Sequence, residues 1–349
     1  MTSLTCRSAA QRGMSLVELM VAMAIGLFLL AGAITVFGKT RDLYRTNDSA
    51  ARLQETARYA MSTIEADLRM ANYWGLMSRA DLVENGPALD LASPPDVDPA
   101  YALPADLTGF AGVISSCGAM WAVKLPAYVE VTDDAYGLAC AEFGTAEAGA
   151  DTLTIRRASA QRICAAGPPD PDCGAILLAG TNGQIKIQSS RVQGTLFSGT
   201  ALPAGHSAAT SETRALVAHG YYVDQASEMD PGMPSLRRKE LDTAGGAPVI
   251  LDREVVPGVE DLQIEFGADL DNDQNADYFV PPSAGIPAGD QVVAVRVWLL
   301  VRAEQQETGF LDSRTYDYAS RTGAAAITPN DAFRRVLVSK TIALRNTRR

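Results

Sequence analysis

The sequence predicts an α+β fold in which one long N-terminal helix precedes an antiparallel β-sheet. A helical pattern extends from residue 16 to residue 72 without a proline. The apolar residues beyond it form short β-branched runs that are partly alternating and bounded by Gly, Pro and Asp. A helix followed only by strands favours an antiparallel sheet with the helix packed on one face.

The composition is that of a globular protein with an acidic surface. The chain has 349 residues, 47% of them hydrophobic, so wholesale disorder is excluded. Acidic residues outnumber basic ones by 41 to 30, which argues against nucleic-acid binding through a broad basic surface. We therefore expect no direct nucleic-acid partner.

The first element is a membrane-spanning helix over residues 14–37. These residues include a single charge, Glu18, and a helix of this length spans roughly 36 Å, enough to cross a bilayer core. Arg7 and Arg12 precede it with no acidic residue, which places the short N-terminus on the cytoplasmic side.

The residues around its start carry a recognisable signal. The string Gln11-Arg12-Gly13-Met14-Ser15-Leu16-Val17-Glu18-Leu19 resembles the class III signal of type IV prepilins. A secretory signal has its small residue after the apolar run, whereas Gly13 comes before it. The resemblance implies that a prepilin peptidase removes residues 1–13 and methylates Met14. It also implies that Glu18 pairs with the positive N-terminus of a neighbouring subunit.

The helix is predicted to continue as an amphipathic segment over residues 38–74. Apolar residues recur at spacings of three and four, which indicates one buried face, and Gly75 is the expected stop. The positions on that face are Leu53, Ala57, Ala60, Met61, Ile64, Leu68 and Ala71.

The remainder, residues 75–349, is predicted to form a β-rich head. Residues 76–148 are interpreted as an irregular insert with short strands, and the basic run Arg237-Arg238-Lys239 as a solvated turn. The predicted strands are Asp151–Arg157, Gln184–Gln188, Arg214–Val223, Val259–Phe266, Gln291–Arg302 and Arg335–Leu344.

The order of segments in the head resembles the PilW family of minor pilins. The matching segments are GADTLTIRR, VVPGVEDLQIEFGADLDNDQ, VVAVRVWLLVR and KTIALRN. The resemblance implies a role in type IV pilus assembly, in priming or at the tip. It implies as partners other minor pilins, the major pilin, the inner-membrane assembly platform and a tip protein. The implied location is the inner membrane, with the head periplasmic, and later the pilus at the cell surface.

Four cysteines remain after the leader, which contains Cys6, is removed. In the periplasm they should oxidise, and no C-x-x-C spacing indicates zinc or redox chemistry. Four cysteines allow three pairings. Cys164 with Cys173, which closes a turn-rich loop, is the favoured pairing, and it leaves Cys117 with Cys140.

One acidic loop has two interpretations. Its residues match positions 1, 3, 5, 7 and 9 of a calcium loop, but Gln274 stands in place of the usual glycine and Val280 in place of the closing glutamate. The loop is therefore either a solvated acidic turn or a weak Ca²⁺ site. The candidate ligands are Asp269, Asp271, Asp273, Asn275 and Asp277.

No catalytic constellation is evident, so we expect no enzyme. His206 and His219 have no nucleophile nearby in sequence and are interpreted as structural. Two other functions stay open at this point. One is a pseudopilin of a type II secretion system, which shares the N-terminal signal. The other is an adhesin or binding module displayed on the pilus.

Overall fold

The computed structural model describes most of the chain and begins with one long helix. The described residues are 15–77, 80, 83–84, 102–165, 176–287 and 291–347. Helix α1 comprises Leu16–Met70, 55 residues. It ends just before Asn72, which has a φ of 59° and so cannot continue a right-handed helix.

Twelve described strands and one short helix follow α1. The helix, α2, is Ala111–Ile114. The strands are β1 (Val83–Glu84), β2 (Val129–Thr132), β3 (Thr152–Ile163), β4 (Lys186–Ser189), β5 (Gly194–Phe197), β6 (Glu212–Asp224), β7 (Ser235–Ala244), β8 (Ala247–Pro257), β9 (Val259–Asp269), β10 (Tyr278–Val280), β11 (Gln291–Arg302) and β12 (Arg335–Ala343).

The strands form two sheets. The first has eight strands in the order β1-β5-β4-β6-β3-β2, with β7 and β8 continuing from β6. The second has four strands in the order β10-β9-β11-β12. Every pairing between two of these strands is antiparallel except that of β1 with β5. The predicted α+β class is confirmed, and each of the six predicted strands is present.

The described chain divides into two compact units, Met1–Ala51 and Arg52–Arg349. Within the second unit, α1 buries the predicted apolar face against both sheets. All seven predicted positions of that face are buried, between 0% and 8% exposed. Leu262, Val297 and Ile342 supply part of the opposing surface. The helical period therefore predicted this face correctly.

The segment 102–148 is largely irregular, as predicted, yet it is well packed. Its only α-helix is α2 and its only strand is β2. Trp121 and Leu125 from this segment are buried in a second core with Trp74, Ile187 and Leu216. The insert is therefore part of the folded head.

The prediction of a solvated turn at Arg237-Arg238-Lys239 is wrong. These residues lie in β7, where Arg237 is 1% and Lys239 is 5% exposed. The carboxylate of Asp252 in β8 accepts hydrogen bonds from Arg237 Nε at 2.9 Å and Lys239 Nζ at 2.6 Å. The compensating acid lies on the next strand, so Arg237 and Lys239 are buried, and Arg238 between them is partly buried.

A buried carboxylate joins α1 to the first sheet. Asp67 is 4% exposed, and it accepts hydrogen bonds from Arg157 Nη2 at 2.7 Å, from His219 Nδ1 at 2.6 Å and from the Tyr221 hydroxyl. Since a carboxylate can only accept, His219 must carry its proton on Nδ1. Burial alone would raise the pKa of Asp67, but His219, Arg157 and Tyr221 outweigh burial and hold it well below its usual range.

We expect Asp67→Asn to destabilise the full chain in detergent by on the order of 3–5 kcal/mol, because it leaves a buried cation without its partner. Denaturant unfolding at pH 7 measures this free energy. The matched control is Glu55→Gln, which removes an exposed ion pair with Arg58 on the same helix. The control should change stability by less than about 0.5 kcal/mol.

The free energies of unfolding of the wild type and Asp67→Asn should differ less at acidic pH. The pKa of Asp67 is lower in the folded chain than in the unfolded chain, so its contribution is complete above about pH 5 and is lost as the pH falls below about 4. Unfolding at pH 3 should therefore show a smaller gap between the wild type and Asp67→Asn. An equal gap at both pH values would contradict this assignment.

Candidate functional site

Two reciprocal hydrogen bonds cap the N-terminus of α1. The Ser15 N–H donates to Glu18 Oε2 at 2.9 Å, and the Glu18 N–H donates to Ser15 Oγ at 3.2 Å. This is the capping box, in which residues three apart satisfy two N–H groups that the first helical turn leaves unpaired. In this chain, Glu18 therefore has a partner within its own helix.

The described part of α1 includes a window that is long and apolar enough to cross a membrane, judged by length and composition alone. Its large apolar side chains are exposed, among them Phe28, Leu29 and Phe37. Gly13 and Met14, the predicted cleavage and methylation site, lie outside the described residues. The candidate site at this end of the molecule is thus represented by Ser15, Glu18 and the apolar helix that follows.

The acidic loop between β9 and β10 brings three of its five predicted ligands together. One carboxylate oxygen from each of Asp269, Asp271 and Asp273 lies within 4.8 Å of the others. Asp277 is outside this group, and its carboxylate accepts the Leu270 N–H at 2.8 Å. The Asn275 side chain donates to Asp273 Oδ2 at 2.9 Å.

The loop is held by hydrogen bonds of its own. Asp269, 2% exposed, accepts the N–H groups of Asn272 at 2.7 Å and Gln274 at 2.8 Å. Gln274 has a φ of 71°, so it adopts the left-handed conformation that glycine usually supplies in a calcium loop. Val280 lies in β10 and offers no carboxylate. The turn is thus stabilised within the chain, and calcium binding stays a prediction.

The calcium interpretation predicts that the full chain in detergent melts at a higher temperature in calcium than in chelator. Calcium at ten times its dissociation constant stabilises the folded state by about 1.4 kcal/mol, provided that it binds only that state. Asp271→Ala should abolish the rise, whereas Asp317→Ala, an exposed acid outside the loop, should keep it. Identical melting in calcium and in chelator identifies the loop as a charged turn.

The disulfides support the predicted pairings to different extents. A disulfide joins Cys117 to Cys140, 23 residues apart, and this pairing is confirmed. It holds the end of the α2 region beside the loop that precedes β3. Cys164 is disulfide-bonded as well, and its predicted partner Cys173 lies outside the described residues.

Both histidines make structural contacts, as the sequence analysis interpreted them. His206 Nε2 lies 2.9 Å from the Thr195 hydroxyl, and His219 binds Asp67. Neither faces a serine or cysteine nucleophile in these contacts. Each contact fixes the position of its imidazole ring.

A second group of acids, which was not predicted from the sequence, lies near the start of β3. Carboxylate oxygens of Asp133, Asp134 and Asp151 lie within 4.8 Å of one another. Asp151 accepts the N–H groups of Asp134 at 2.8 Å and Ile264 at 2.7 Å, which ties the start of β3 to β9. Burial raises the pKa of Asp151 to about 8, and the two neighbouring acids add to this. The adjacent pair Asp133-Asp134 was the only local signal.

Comparison with known proteins gives matches at both ends of the chain. Residues 220–346 match the family PilW, described as type IV pilus-assembly protein W. Residues 8–34 match the prokaryotic N-terminal methylation motif. The second match covers the capping box and the apolar part of α1.

Two proteins of Thermus thermophilus are similar to parts of the chain. The pilin-like protein PilA3 is 41% identical over 66 residues, 18% of this chain, and the chain spans 28% of that relative's length. A solved type IV-like pilin is 16% identical, with a TM-score of 0.25, over 57% of this chain and 80% of the other.

Proposed function

We propose that this chain, whose residues 220–346 match the PilW family and whose residues 8–34 match the prokaryotic N-terminal methylation motif, is a minor pilin that promotes assembly of a type IV pilus. The observation that carries the proposal is the combination of those two matches in one chain. The amphipathic part of the 55-residue helix α1 lies between the two matched regions of the sequence. This arrangement is what we expect of a subunit that is first anchored in the membrane and then assembled into the pilus.

The size of the head supports a position at the pilus tip. The second compact unit comprises Arg52–Arg349 and contains two sheets and four clusters of buried hydrophobic residues. A head of this bulk is hard to repeat along a thin filament, because every subunit above it would need the same space. At the tip there is no neighbour above, so we place the subunit there, where it primes assembly.

The proposed life cycle follows from the N-terminal signal. The chain is inserted in the inner membrane through residues 14–37, with its N-terminus cytoplasmic and its head periplasmic. A prepilin peptidase removes residues 1–13, and the assembly platform then moves the subunit into the filament with the major and other minor pilins. The disulfide between Cys117 and Cys140 is consistent with an oxidising compartment.

Processing gives the first prediction. Gly13→Leu should block leader removal, because the cleavage site must accommodate a small residue. Mass spectrometry of the membrane fraction should find a chain that begins at Met14 for the wild type and the uncut chain for the variant. Gly26→Ala is the matched control, since an added methyl at Gly26 meets nothing within 4 Å and lies inside the helix. A wild-type protein that retains residues 1–13 would contradict the pilin assignment.

Glu18 gives the second prediction. Glu18→Ala and Glu18→Gln should both be processed and inserted, since removing a charge from an apolar helix favours insertion. Both should be depleted from sheared pili, because neither offers a charge to a neighbouring N-terminus. Glu18→Gln separates the loss of the charge from the loss of the helix cap, since its amide oxygen can still accept the Ser15 N–H. Normal incorporation of Glu18→Gln would show that helix capping matters and the charge does not.

Gene deletion tests the function itself. We expect the deletion strain to lose surface pili and twitching motility, and a plasmid copy of the gene to restore both. Secretion of type II substrates, measured in the same strains, separates the pilus from the secretion system. Lost secretion with normal pili would identify a pseudopilin, and no change in either would refute an assembly role.

A further inference from the structure

Strand β12 is a free edge of the four-stranded sheet. It pairs with β11 along its whole length, from Ala294–Ala343 to Arg302–Arg335. No described strand lies on its other side. The edge is nine residues long and contains no proline.

The register with β11 identifies the backbone groups that face outward. The Leu344 N–H donates to Val293 O and the Ala303 N–H donates to Arg334 O, both at 2.8 Å. In an antiparallel pair, residues that exchange such bonds alternate with residues whose N–H and C=O point away from the partner. The outward-facing residues of β12 are therefore Arg335, Leu337, Ser339, Thr341 and Ala343. The Arg335 carbonyl already accepts a hydrogen bond from Arg314 Nη2 at 3.2 Å, which leaves the last four residues open.

These outward groups have no backbone partner among the described residues. Three of the four side chains are exposed, and all four are uncharged. Serine, threonine and alanine are small, so another backbone can approach closely. The edge thus presents a row of donors and acceptors with the spacing of a β-strand.

Every other described edge strand is protected. Strands β1, β2 and β10 have only two, four and three residues. Strand β8 is long, but it contains Pro248 and Pro257 and the charged run Asp252-Arg253-Glu254. Short length, proline and charge are the usual ways in which proteins prevent strand addition. β12 lacks the first two.

The charges beside the β12 edge are already neutralised. Lys340 Nζ lies 2.6 Å from Glu65 Oε2 on α1. Arg335, 3% exposed at its side chain, binds Asp331 at 2.6 Å and also binds Glu260. A lysine on an edge normally repels an incoming strand, but here it is drawn onto the helix. The edge therefore suits a strand of uncharged, β-branched residues.

We propose that β12 accepts an extended strand from a different pilin-type subunit, which adds to the sheet beside β12 on the side opposite β11. This inference rests on the proposed function for the identity of the partner. Main-chain hydrogen bonds to the four outward residues provide the affinity, and small side chains on both faces of the added strand provide the fit.

The direction of β12 argues against a second copy of this chain. Lys340 lies beside Glu65 and the Asn346 side chain donates to Ala71 O at 3.0 Å, so β12 runs in the same direction as residues 52–70 of α1. Antiparallel pairing of two β12 strands would reverse that helical segment in one copy. Subunits of one filament share a direction, so this antiparallel pairing is incompatible with two copies of this chain in the same pilus.

Site-specific photo-cross-linking in cells tests the contact directly. A photoreactive amino acid replaces Thr341 on the exposed edge of β12, and Arg253, 54% exposed at its side chain on β8, is the control position. We expect Thr341, but not Arg253, to cross-link to another chain that carries an N-terminal methylation motif, with the cross-linked peptide in a strand. No such product, or a cross-linked dimer of this chain, overturns the proposal.

Substitutions at Ser339 test the role of the backbone. Ser339→Pro removes an outward N–H and leaves the bonds to β11 intact, so it should reduce the Thr341 cross-link and surface pili by roughly tenfold. Ser339→Ala keeps the N–H and should behave as wild type. Ser339→Lys serves as the alternative if the proline variant fails to accumulate. It places an unpaired lysine on the edge without changing the backbone, so it should also reduce the Thr341 cross-link and surface pili.

The outcomes separate the two proposals. If deletion of the gene removes pili but Ser339→Pro and Ser339→Lys restore them fully, the edge contact is wrong and the assembly role stands. If deletion leaves pili unchanged, the assembly role is wrong, and the cross-link from Thr341 still decides whether β12 binds a strand.

Discussion

The carboxylate of Asp67 sets the arrangement of α1 on the head. An amphipathic helix can rotate or slide on an apolar surface at small cost, because dispersion and the hydrophobic effect are non-directional. A buried carboxylate has no such freedom, since it must meet its donors at hydrogen-bond distance. Arg157 on β3, with His219 and Tyr221 on β6, supplies those donors and so fixes the rotation and the axial position of the helix. The apolar face provides the stability, and Asp67 makes one alignment preferable to its neighbours.

Buried cations do a related task for the irregular part of the head. Irregular backbone leaves carbonyl groups without a regular partner, and each needs a donor when it is buried. Arg156 of β3, 0% exposed, donates to Trp121 O and Ala127 O at 2.5 Å. Lys239 of β7 donates to Ala141 O. Basic side chains of the sheet thus satisfy the segment that precedes β3, which explains how an acidic protein comes to have cations in its interior.

Lys186 shows the same principle without a carboxylate. Its ammonium group donates to the carbonyl oxygens of Thr181 at 2.8 Å, Gln184 at 2.7 Å and Ser198 at 3.1 Å. Burial lowers the pKa of Lys186 to about 8, and the charge of Asp106 offsets this effect only in part. The three carbonyls hold β4 beside the loop that precedes it and the residue that follows β5.

The sequence predicted the elements whose signals are local. The helical period of α1 and the β-branched runs of β9, β11 and β12 depend on neighbouring residues, and they were found within a few positions. The capping box also has a local signal, since Ser15 and Glu18 are three residues apart, but it was not predicted from the sequence. The role of Asp67 was not, because its partners are 90, 152 and 154 residues away along the chain.

Strand β7 was missed for a similar reason. A run of three basic residues has a low strand propensity when read alone, and charged residues are seldom buried. Arg237 and Lys239 are buried because Asp252 on β8 lies opposite them in space. Only the pairing of the two strands shows this compensation. The acidic loop, in contrast, was found, because a local sequence pattern identified its three clustered acids. That pattern did not show the hydrogen bonds that already hold these acids.

Glu18 and β12 differ in what each would gain from a neighbouring subunit. Glu18 already accepts the Ser15 N–H, so a contact with another N-terminus exchanges one hydrogen bond for a charged one. Exchange reactions yield little net free energy but reject partners that lack the matching charge. The outward N–H and C=O groups of β12 have no backbone partner among the described residues, so they are left to bind water. An added strand would replace that water with several main-chain hydrogen bonds at once, in a partly dehydrated site. If both proposals hold, the N-terminal helix would select pilin-type neighbours and the sheet edge would retain one of them, so a subunit that has entered the filament would be held mainly by its head.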